Sequence, residues 1–149
     1  MKKTLLFSLF AILLSCKDSE ICSPPPPTFS MWVNKSSEVH KEFINKRGNI
    51  DTTHIALYKQ IGSAKKEYPI GFHYDTDPRG NTYLHIGTQL WFENDVYTGK
   101  TETLYLQNAT KTYKLEVNGY MKDTKCGRVS ITNEIRVDGV KVENHYLTK

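Results

Sequence analysis

Three cysteines in 149 residues are too few for a disulfide-rich scaffold, and isolated cysteines offer too few ligands for a thiolate metal site. Histidine offers no local motif either. His40, His54, His73, His85 and His145 make no HxH, HxxxH or HExxH spacing, so neither a metal nor a cofactor is expected. The GxSxG turn of a serine hydrolase is missing, and no catalytic motif replaces it, so the chain does not read as an enzyme. Charge of one sign is missing too. Twenty Lys and Arg face sixteen Asp and Glu, interspersed with no basic run longer than a pair, which leaves no electrostatic footprint for nucleic acid. There is no internal repeat. The longest apolar run, Leu5 to Leu14, is ten residues with Ser8 as its one polar member. As a helix it would cover about 15 Å, half of a bilayer's hydrocarbon core.

That short run is nevertheless the most informative stretch. Lys2 and Lys3 precede it and Leu13-Leu14-Ser15-Cys16 closes it, the pattern of an export signal. Leu-Leu-Ser-Cys resembles the lipobox of bacterial lipoproteins. The resemblance implies cleavage before Cys16, a diacylglycerol thioether on its sulfur and an acyl group on the new amino end. Residues 1–15 are then a signal peptide and the membrane is a partner through lipidated Cys16. Lys17-Asp18-Ser19-Glu20 is similar to the surface-export signal of Bacteroidetes lipoproteins, with Ser19 interrupting the acidic pair. It points to the outer membrane and its outer face, the periplasmic face being the alternative. Pro24 to Pro27 hold the chain in polyproline II, a stiff spacer of about 12 Å. Residues 16–28 thus read as a tether. With Cys16 assigned to lipid, Cys22 and Cys126 remain as an even pair in an exported chain. A disulfide between Cys22 and Cys126 is expected, two free thiols being the alternative.

From residue 29 the chain reads as strands. Phe29 to Val33 opens, His54 to Ile61 follows, and Tyr68 to Tyr74 and Thr82 to Phe92 flank the turn-rich Asp75 to Asn81. Leu104 to Leu106 and Tyr113 to Val117 come next. Asn118-Gly119 and Asp138-Gly139 both match the dipeptides of two-residue hairpin turns. Only Ser36–Asn45 could pass for a short helix. About eight strands at roughly ten-residue spacing predict an all-β, antiparallel β-sandwich over residues 29–149, immunoglobulin-like or transthyretin-like.

Strict alternation in Thr82 to Phe92 puts Leu84, Ile86, Leu90 and Phe92 on one face and Tyr83, His85 and Trp91 on the other. The second set is a candidate glycan platform, since sugars bind extended aromatic faces. Cross-strand packing explains exposed aromatics equally well. Asp51-Thr52-Thr53 resembles the O-glycosylation acceptor motif of Bacteroidetes, with Thr52 as acceptor. Asp75 to Asn81 fails the EF-hand pattern, because Arg79 stands at its fifth position and Ile86 at its twelfth. An ordinary hairpin loop is expected there.

Taken together, signal, lipobox, Cys22 before the prolines, strand-rich body and late Cys126 resemble small Bacteroidetes-type lipoproteins of uncharacterised function. The expectation is a membrane-anchored binding or structural module whose partner is a glycan or a surface protein. A subunit of an envelope complex, or an enzyme acting on envelope or host polysaccharide, is the alternative. Replacing Cys16 tests the anchor. Cys16→Ala should leave the protein in the soluble fraction without labelled palmitate, and a variant that still pellets with label would refute the lipobox.

Overall fold

The computed structural model describes residue 22, residues 25–90 and residues 94–147. The signal segment, Cys16 and Trp91 lie outside the described residues. Among the described residues, nine strands and one helical turn follow in order: β1 (Thr28–Asn34), α1 (Glu38–Lys41), β2 (Ala56–Ile61), β3 (Ala64–Tyr68), β4 (Gly71–Thr76), β5 (Thr82–Gln89), β6 (Thr98–Gln107), β7 (Thr112–Thr124), β8 (Gly127–Val137) and β9 (Val140–Val142). They form two antiparallel sheets, ordered β1-β5-β4 and β3-β2-β6-β7-β8-β9. The all-β antiparallel sandwich is therefore what the chain adopts.

Period-two alternation builds the core. Phe29, Met31 and Val33 of β1 and Leu84 and Ile86 of β5 point inward from the narrow sheet. Leu57, Leu104, Leu106, Leu115, Val117 and Ile135 meet them from the wide one. Each such side chain contributes roughly 1.5–3 kcal/mol when fully buried. The chain changes sheet three times, through α1, at Pro69-Ile70 and after Leu90. Pro69 breaks what the sequence reads as one strand from Tyr68 to Tyr74, because proline has no N–H for a sheet ladder. Its carbonyl accepts from the Thr88 hydroxyl (2.6 Å), which pins the crossing to β5. The helical expectation over Ser36–Asn45 contracts to the single turn of α1, capped by the Ser37 hydroxyl, which accepts from the His40 N–H (3.2 Å).

One hairpin expectation holds and the other fails. Asp138 and Gly139 adopt φ of 50° and 84° and join β8 to β9, with Val137 opposite Val140. Asn118-Gly119 is no turn; β7 runs straight through it. Here the glycine meets a packing demand. A Cβ on Gly119 would lie 2.6 Å from the Ile131 carbonyl oxygen and 2.6 Å from the Tyr97 ring. A bulge follows at once, for Asn118 faces Glu134 while Gly119 faces Thr132.

Cys22 is joined to Cys126 (Sγ–Sγ 2.08 Å, Cα–Cα 4.7 Å), which links the segment before β1 to the β7–β8 turn. This is the disulfide expected from the sequence.

Gly119 gives the fold its sharpest test. Gly119→Ala should lower stability by about 1–3 kcal/mol, because a backbone oxygen and a buried ring must both give way. Urea unfolding measures this, and an unchanged midpoint would contradict the close packing.

Candidate functional site

The outward face of the narrow sheet carries the candidate site. Strand register sets its side chains in rows. Trp32, His85 and His73 are cross-strand neighbours, Asn34, Tyr83 and Asp75 form the next row, and Ser30, Gly87 and Gly71 the third. The His85 ring sits between its neighbours, 4.4 Å from Trp32 in an edge-on arrangement and 4.3 Å from His73. His73 Nε2 is 2.8 Å from an Asp75 carboxylate oxygen. Gly87 is where His85 finds room, for a Cβ there would meet the imidazole Cε1 at 2.5 Å.

The carboxy-terminal segment adds one more ring. Asn144 and His145 take φ of 50° and 63°, a left-handed pair that swings the chain alongside β1. Trp32 N–H donates to the His145 carbonyl (2.9 Å) and Leu147 N–H to the Trp32 carbonyl (2.8 Å), a short parallel pairing on the β1 edge. His145 Nδ1 donates to the Ser30 carbonyl (2.9 Å) and Leu147 is buried. Tyr146 is thereby laid against Tyr83, with ring centroids 5.0 Å apart.

Four half-buried rings, Trp32, Tyr83, His85 and Tyr146, thus lie on one side of the molecule with a depression at each end. One, of about 460 Å³, is bounded by Asn34, Ser37, Val39, Tyr83 and Tyr146. The other, of about 490 Å³, runs over the paired Gly71 and Gly87 beside His73 and His85. Burial, with the nearby His73 charge second, lowers the His85 pKa below its ordinary value. The centre of the face is therefore uncharged at neutral pH.

Tyr83 and His85 stand where alternation in the sequence put them. Trp91 falls outside the described residues, beyond Leu90, which is buried as expected. Sequence reasoning missed Trp32, His73 and Tyr146. Alternation with buried Met31 and Val33 could have exposed Trp32, but the partners of His85 depend on register. Thr52 is exposed in a turn ahead of β2, beside an Asp51 carboxylate engaged with His54 Nδ1 (2.8 Å) and the Thr53 hydroxyl (2.8 Å). The expected hairpin connection is shorter than Asp75 to Asn81: Asp75 and Thr76 belong to β4, and Asp77 to Asn81 form the turn. The Asp77 carboxylate accepts from the Arg79 and Asn81 backbone N–H groups (both 2.9 Å).

No family model, curated protein or solved structure matches the chain. The site must be read from its own chemistry.

A second cluster tests the enzyme alternative. Lys59 Nζ bonds Glu102 (2.7 Å), while Asp95 takes both the Lys66 ammonium (3.1 Å) and the Tyr68 hydroxyl (2.8 Å). Burial pushes both carboxyls up, but hydrogen bonds and lysine charges outweigh it and hold both below their ordinary values. Glycoside hydrolysis by a carboxyl pair needs one acid with a raised pKa. These two are ion-paired anions that brace the fold.

Burial also lowers the pKa of His40, whose Nε2 lies 3.0 Å from the Tyr74 hydroxyl, with the Lys35 charge the lesser cause. His40 and His85 thus stay neutral in the folded chain where the unfolded chain binds protons. The sign follows: stability is fully present above the unfolded value of 6.5 and falls as pH drops below it. The urea midpoint should be flat from pH 8 to 7 and decline between pH 6.5 and 5.5, with His85→Phe reducing the decline. A midpoint independent of pH across that window would contradict the burial of both imidazoles.

Proposed function

We propose that this chain is a lipid-anchored protein of the bacterial envelope whose sandwich is a binding module, and that the outward face of the β1-β5-β4 sheet takes a saccharide. The observation that carries the binding reading is the grouping of Trp32, Tyr83, His85 and Tyr146 on one open face. Sugar rings offer apolar C–H faces that stack on such side chains, and hydroxyl groups that need neutral polar partners at the edge. Asn34 and Ser37 border the Tyr83–Tyr146 depression and Gln89 borders the glycine trough. Partial desolvation, then the Asp77 charge and Tyr146, raise the Tyr83 pKa, so its hydroxyl stays protonated and can both donate and accept. Shallow, open depressions suit a polymer held along its length better than an enclosed small molecule. Anchoring is supported by the export signal and lipobox at Cys16, and display on the outer surface by Lys17 to Glu20.

A glycan array probed with the purified mature protein tests the reading, with envelope and host polysaccharides side by side. Wild-type protein should bind a defined subset. Trp32→Ala and Tyr83→Ala should each weaken that binding by roughly tenfold or more, the usual cost of truncating an aromatic anchor. Absence of saccharide binding, or variants that bind as well as wild type, would overturn the proposal. Turnover of any bound glycan would shift it to the enzyme class.

A further inference from the structure

The Cys22–Cys126 disulfide decides which end of the domain meets the membrane. Cys22 lies only six residues beyond Cys16, a reach of about 20 Å when fully extended. Without the disulfide, the first fixed point of the domain would be Thr28 at the start of β1, twelve residues on and about 40 Å away. The bond moves the attachment to Cys126, in the turn between β7 and β8.

That turn is a projection. β6 begins at Thr98, opposite Tyr120, so Met121–Thr124 of β7 and their β8 partners extend past their neighbour as a two-stranded ribbon. Four further residues carry it roughly 13 Å outward. Lys122, Lys125 and Arg128 are exposed on it, against one acid, Asp123, which pairs with Arg128 (3.2 Å). The tether carries one more acid than base, so the ribbon and not the tether supplies positive charge.

We infer that the β7–β8 ribbon is a membrane-contacting tip, held by the disulfide against the bilayer in which the Cys16 lipid sits, with Lys122 and Lys125 on its anionic phosphate headgroups. The inference rests on the lipidation of Cys16. Short tether and basic tip act together: the tether supplies proximity, and each lysine near an anionic surface adds attraction within a Debye length. One consequence follows for the ring face. β1 starts beside the tether and runs to Asn34, so the Tyr83–Tyr146 depression and α1 lie at the far end.

The test uses mature protein purified from membranes and reconstituted into phosphatidylcholine vesicles with or without phosphatidylglycerol. Intact mass first reports lipid on Cys16. An unlipidated protein overturns the anchoring reading and this inference together. Lipidated protein is then exposed to a membrane-impermeant amine-acylating reagent, and each lysine is followed by peptide mass spectrometry against a detergent-solubilised control.

Lys122 and Lys125 should react about fivefold more slowly on phosphatidylglycerol vesicles than in detergent, while Lys35 and Lys46 react equally in both. The protection should shrink on phosphatidylcholine alone. In Cys22→Ser/Cys126→Ser the longer tether should return both tip lysines towards the Lys35 rate. Lipidated wild-type protein whose tip lysines are as reactive on vesicles as in detergent would overturn the inference and leave the anchor standing. Protection that survives loss of the disulfide would overturn its role in holding the tip.

Discussion

Two sheets of unequal width share one core, and the narrow one is too small to cover the wide one. Three strands can shield only part of a six-stranded inner face, and whatever is left over must be apolar and covered or polar and satisfied. Both solutions occur. Around α1, Val39 and Phe43 close the core as small apolar plugs, and Phe43 stacks on Tyr113, whose hydroxyl bonds Glu42. Over β2 and β3, inward-facing positions become Lys59, Lys66 and Tyr68, which meet Glu102 of the adjacent β6 and Asp95 of the segment before it. Breaking one member would strand a half-buried charge, so the network is better read as specifying the arrangement than as adding net stability. On its free side the narrow sheet is widened by His145 to Leu147, which pair with β1 and protect an edge that would otherwise invite another strand.

The connections obey a simpler rule. Asn34, Asn45, Asp77, Asn94 and Asn108 each accept backbone N–H groups from residues just ahead of them in the chain. Every one is a short polar side chain doing the work of a missing ladder partner, the physical reason Asn and Asp mark turns.

Fold class, the inward residues of β5, and the Asp138-Gly139 hairpin were legible in the sequence because each rests on local information. Alternation marks a strand's two faces, and a dipeptide marks a tight turn. Asn118-Gly119 defeated the same reasoning. Glycine satisfies two distinct needs, a positive φ or a close approach, and only the position of Tyr97 and Ile131 tells which one applies. The candidate face was half legible for a related reason. Tyr83 and His85 share a strand and its period, whereas Trp32 and His73 join them through register, and Tyr146 arrives from the far end of the chain through a left-handed pair at Asn144 and His145. Alternation with Met31 and Val33 gives the outward face of Trp32, but its pairing with His85 and the placements of His73 and Tyr146 leave no local trace.

The same geometry bears on why the rings face where they do. Cross-strand stacking of Trp32, His85 and His73 would stabilise the narrow sheet whether or not anything binds there. Packing calls for Gly87, where a Cβ would meet the His85 ring at 2.5 Å, but not for the Gly71 opposite it. A Cβ at Gly71 would meet nothing within 4 Å, and on an exposed sheet face a β-branched or aromatic residue there would give a stronger strand. Two glycines in register weaken β4 and β5 while opening a trough beside the His85 ring. The His85 ring accounts for Gly87, so only Gly71 is left without a packing reason, and it keeps open the hollow beside that ring.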